Sequence, residues 1–142
     1  MTKWKVVRGG LIEVGVALAL WRGPTSDHAT PPIDGTALIL AFVGGVLGLQ
    51  FLLAFQALNK KSSAVWRRPS WKENPFSLTQ PVQFFHLAGW FFLVPPLVTV
   101  ALTWLNKPEY VLDALMPFCV GIGILCGVQL SKVLYSKKYK PV

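Results

Sequence analysis

The chain has 142 residues, of which 53% are hydrophobic and 14% charged, with a mean hydropathy of +0.48. A water-soluble domain of this size carries about 25% charged residues, so the balance excludes an ordinary soluble globule. The net charge of +8 is no argument for nucleic-acid binding, because the charges flank apolar runs, where basic residues report orientation and attract anionic lipid.

The first apolar stretch runs from Trp4 to Trp21. It is the weakest candidate for a crossing, since it is short against the ~20 residues a spanning helix needs and contains Arg8 and Glu13. A basic start, a short apolar core and Ala17-Leu18-Ala19 also fit a cleaved signal peptide, but Glu13 interrupts that core. Tryptophans at both ends suit a spanning helix anchored at each interface. Glu13 then lies about 13 Å from Trp4, near the bilayer midplane. An ionisable group at that depth costs at least about 2.5–3.5 kcal/mol, which makes it a candidate proton or cation site. Gln50 falls at a comparable depth on the second stretch, so a Glu13–Gln50 hydrogen bond is expected, either as that site or as a neutral lock between helices.

The second stretch, about 36–58, follows Asp34, a helix-capping residue. It reads Val43-Gly44-Gly45-Val46-Leu47-Gly48, and Gly44 with Gly48 forms a small-xxx-small face of the kind that lets helix backbones approach closely. The loop 59–80 is the longest polar segment. Its Trp66, Arg67, Arg68 and Trp71 suit either headgroup anchoring or a grip on a partner subunit.

The third stretch, about 81–105, carries Pro95-Pro96 near its middle, where missing N–H donors predict a kink. Near its start, Gln83 and His86 join Arg8, Gln56 and Gln129 in a second polar layer at similar depth. His28 falls on the far side of the membrane from His86, so the two histidines do not form a haem-ligand pair. The fourth stretch, about 110–130, follows Asn106-Lys107-Pro108-Glu109, which reads as a cap, an early proline and an acid. It carries a second small-residue face, Gly123 and Gly127, and two cysteines, Cys119 and Cys126, too far apart along one helix for a disulfide.

Twelve of the 14 Lys and Arg residues fall in the N-terminal segment, the 59–80 loop and the C-terminal tail, leaving only Arg22 and Lys107 opposite. Four crossings put those twelve on one side; three do not. The expected fold is therefore an all-α integral membrane protein: a single membrane domain over 1–142, a bundle of four transmembrane helices, N-in/C-in, in a bacterial cytoplasmic (inner) membrane. Among nucleotide loops, metal-ligand clusters and nucleophile sets the sequence offers no match, so no catalytic residue, metal or cofactor is expected. The expected role is association, as an accessory or self-associating subunit in a homo- or hetero-oligomer, with anionic inner-leaflet lipids as further partners and no nucleic acid. The alternative is a small proton- or cation-coupled transporter or channel subunit using Glu13; a membrane enzyme is a third class.

Overall fold

The computed structural model describes residues 2–24, 34–58, 68–77 and 80–135. These form four α-helices: α1 Lys3–Arg22, α2 Gly35–Leu58, α3 Pro81–Asn106 and α4 Val111–Tyr135. A single 3-10 turn, Pro108–Tyr110, leads into α4. Helices α2, α3 and α4 are each long and apolar enough to cross a membrane. Helix α1 reaches 20 residues but carries Lys3, Lys5, Arg8, Glu13 and Arg22, and falls short of that apolarity.

Helix ends follow local chemistry. Asp34 Oδ1 accepts from the Ala37 N–H at 3.0 Å, capping α2 as expected. Asn106 does not cap the next helix; its Nδ2 donates to the Leu102 carbonyl at 2.8 Å and closes the last turn of α3. Helix α4 runs past residue 130 to Tyr135, because Leu130–Tyr135 contains neither glycine nor proline to stop it.

The packing order is α1, α3, α4, α2, with α1 touching α3 alone among the helices. Gly15 of α1 lies against Pro95 and Phe91, so that α1 runs parallel to α3. Gly89 meets Leu125 and Gly121 meets the Phe92 backbone, which sets α4 antiparallel to α3. Gly123 lies on the Phe42 carbonyl and Gly127 on that of Val46, which sets α2 parallel to α4. The starts of α1 and α3 and the ends of α2 and α4 therefore share one end of the molecule. Lys3, Lys5, Arg8, Arg68, Lys72 and Lys132 gather there, and we call it the basic end.

The glycine pattern differs from the expected one in a single respect. Gly123 and Gly127 do bring two backbones together: a Cβ on Gly127 would sit 2.7 Å from the Val46 oxygen. The facing glycine on α2 is Gly45, whose Cβ would lie 2.6 Å from the Val120 oxygen. Gly44 faces open space, and Gly48 meets only the Phe85 ring, at 3.5 Å. One residue is 100° around a helix, so the close approach selects Gly45 and turns Gly44 away.

Leu49, Leu53, Val82 and Val128 form the buried core, with Phe85 against it, near the basic end. Elsewhere large apolar side chains point outward, among them Phe51 at 76% and Leu105 at 78% exposed. Such a surface suits hydrocarbon as solvent.

Candidate functional site

Arg8 is wholly buried at the basic end, reaching from α1 to segment 68–77 and α3. Its Nε and Nη2 donate to the Glu73 backbone carbonyl at 3.2 and 3.0 Å. Nη2 also donates to Gln83 Oε1 at 3.2 Å, and Nη1 lies 3.2 Å from His86 Nδ1. The Trp71 ring centroid is 6.0 Å from the guanidinium carbon. Among the described residues every hydrogen-bond partner of this cation is neutral. A guanidinium stays charged in proteins, so these carbonyl dipoles and the ring take the place of water. Each charge-assisted bond is worth about 1.5–3 kcal/mol, which offsets the several kcal/mol lost on burial.

Gln83, also fully buried, is the second anchor. Its Oε1 accepts from the Ser70 N–H at 3.0 Å, and its Nε2 donates to the Arg68 carbonyl at 3.0 Å. One amide side chain thus satisfies the backbone of segment 68–77 on both sides of Pro69. The segment closes on itself as well, with Ser70 Oγ accepting from Lys72 N at 3.2 Å and Asn74 Oδ1 from Phe76 N at 2.9 Å. Arg8 and Gln83 therefore fold the segment back onto the helices.

His86 has an unusual pair of neighbours. Arg8 Nη1 faces its Nδ1, and Trp90 Nε1 faces its Nε2 at 3.2 Å. Arginine and tryptophan nitrogens donate only, whereas a neutral imidazole accepts at one nitrogen and carries hydrogen on the other. One ring N–H is thus left without an acceptor from these two neighbours. Trp71 packs edge-on to the ring at 5.5 Å between centroids and lies 6.0 Å from Trp90.

The polar layer foreseen from helical depth is present in Arg8, Gln83 and His86; Gln129 lines a niche beside it. Arg68 and Trp71 both belong to the folded-back segment. Trp66, Arg67 and the side chain of Gln56 lie outside the described residues.

The expected Glu13–Gln50 bond is absent. Glu13 is exposed on α1, and α1 does not touch α2. Gln50 instead donates from Nε2 to the Gly127 carbonyl of α4 at 2.7 Å, and its buried Oε1 has no partner among the described residues. Equal depth does not make two helices neighbours. Pro95 and Pro96 lie inside α3 without ending it, Pro95 buried against Gly15. With Pro117 of α4 they line an open cavity of about 400 Å³ that also touches Arg22, Thr99 and Asp113.

No protein-family model, curated protein or solved structure matches the chain.

Proposed function

We propose that this is a small four-span protein of a bacterial cytoplasmic membrane, N-in/C-in, that works by association as an accessory or self-associating subunit. The observation that carries this reading is the exposed position of Glu13 on a helix whose sole helical neighbour among the described residues is α3. If α1 crosses the bilayer, a carboxyl group at midplane faces hydrocarbon in the lone chain, at a cost of about 2.5–3.5 kcal/mol. A donor from a neighbouring subunit removes that cost. The open Gly44 on α2 offers a second place where another helix can come close.

The transporter reading built on Glu13 has less support. Among the described residues, a cavity of about 400 Å³ at α1 is lined by Gly15 and Arg22, and one of about 530 Å³ by Lys5; Glu13 lines neither.

Cross-linking and mass measurement in lipid nanodiscs test the proposal. Association predicts a complex in the wild type that Glu13→Leu or Gly44→Leu disrupts while the single chain keeps its helix content. A wild type that runs only as a lone monomer, with no partner, defeats it.

A further inference from the structure

Beside the Arg8 cluster, two hollows on one face of the α3–α4 pair join end to end. The first is a niche of about 220 Å³ at the basic end, lined by Arg68, Pro69, His86, Gln129 and Lys132 with Val128. The second is a groove of about 510 Å³ that shares His86, Val128 and Gln129 with the niche. It continues along α3 past Trp90 and Leu93, and along α4 past Leu125, Cys126 and Ile122. From Lys132 to Ile122 the path is about 15 Å along the helix axis. Its chemistry changes in one direction, from cationic and amide groups at the basic end to an apolar trough farther in. No acidic residue lines either part.

We infer that this is a seat for one anionic phospholipid, its phosphate in the niche and one acyl chain in the groove. Arg68 and Lys132 supply opposite charge from two different elements. His86 joins the two parts. It lines both, with its ring held between Arg8 and Trp90 where the polar niche passes into the apolar groove. The apolar trough distinguishes this seat from one for a free anion, and the paired cations distinguish it from one for a neutral amphiphile.

The test is native mass spectrometry of the full chain in neutral detergent, offered equal amounts of phosphatidylglycerol and phosphatidylcholine. With about a fivefold gain per basic residue, the two cations predict roughly thirtyfold preferential retention of one phosphatidylglycerol. Arg68→Gln with Lys132→Gln should bring the ratio close to one. Both side chains are exposed and Gln83 holds Arg68 through its backbone, so the fold is unaffected, which the unfolding temperature checks. Cys126→Trp, at an exposed position in the groove, should lower retention of either lipid. Equal retention of both lipids by the wild type overturns the inference without recourse to any variant. So does a preference that survives the double substitution, or a Cys126→Trp protein that retains lipid as before. Displacement of phosphatidylglycerol by inorganic phosphate, with no effect of Cys126→Trp, identifies a free-phosphate site instead. Retention of a neutral isoprenoid quinone in place of phosphatidylglycerol likewise overturns it.

Discussion

Arg8 and Gln83 meet through a 3.2 Å hydrogen bond across 75 residues of sequence, and both are fully buried. Each also holds the backbone of segment 68–77, at Glu73 and at Arg68 with Ser70. The two side chains therefore act as one fastening between α1, α3 and that segment.

Loss of either half should release the segment. Arg8→Met removes the donors to Glu73 and Gln83 without stranding a buried counter-charge, so the expected cost is about 2–3 kcal/mol. Trypsin cleavage after Lys72 should accelerate in the variant, and thermal unfolding in detergent gives the magnitude. Arg8→Lys should lose most of the same stability, because one ammonium does not reproduce the guanidinium fork.

Gln83→Leu leaves the Arg68 carbonyl and the Ser70 N–H without their partner and should cost about 2–3 kcal/mol. Combined with Arg8→Met, the loss should fall short of the sum by about 0.5–3 kcal/mol, because the two residues share one network. Strict additivity in that cycle refutes a joint fastening.

Neighbouring glycines of α2 should respond oppositely to alanine. At Gly45 the new methyl meets the Val120 oxygen at 2.6 Å, and backbone on both sides prevents easy relief, so about 1–3 kcal/mol should be lost. At Gly44 nothing lies within 4 Å, and alanine should be neutral or stabilise by up to about 1 kcal/mol. Melting temperatures of the two single variants decide the register.

Gly15→Leu should detach α1 selectively. A Cβ there would already lie 2.7 Å from Pro95 Cγ and 2.9 Å from the Phe91 ring, while α2 and α4 make no contact with α1. Cysteine labelling at residue 15's neighbours on α1 should rise, with labelling along the α2–α4 contact unchanged. Equal loosening of both regions contradicts the packing order.

Hydropathy alone located the three long apolar helices, because spanning length and apolar content are properties of each segment by itself. Helical depth also brought Arg8, Gln83 and His86 together, since they belong to adjoining helices at one end. The same reasoning misplaced Glu13 and Gln50: depth measures distance along a helix and says nothing about which helices are neighbours. The approach within the chain falls on Gly45 and not on Gly44, which the sequence did not reveal because α2 is apolar on all sides, leaving no polar stripe to fix its rotation. The Glu73 carbonyl that receives Arg8 was invisible beforehand, as a backbone acceptor has no sequence signature.

Arg8 has a further consequence in time. It is synthesised 65 residues before Glu73 and 78 before His86. At a translation rate of about 5–20 residues per second, it waits roughly 3–16 s for its partners to emerge. Throughout that interval the guanidinium needs water or lipid headgroups, which holds the beginning of α1 at the membrane surface. The first helix made thus waits at its own beginning for a segment and a helix made much later.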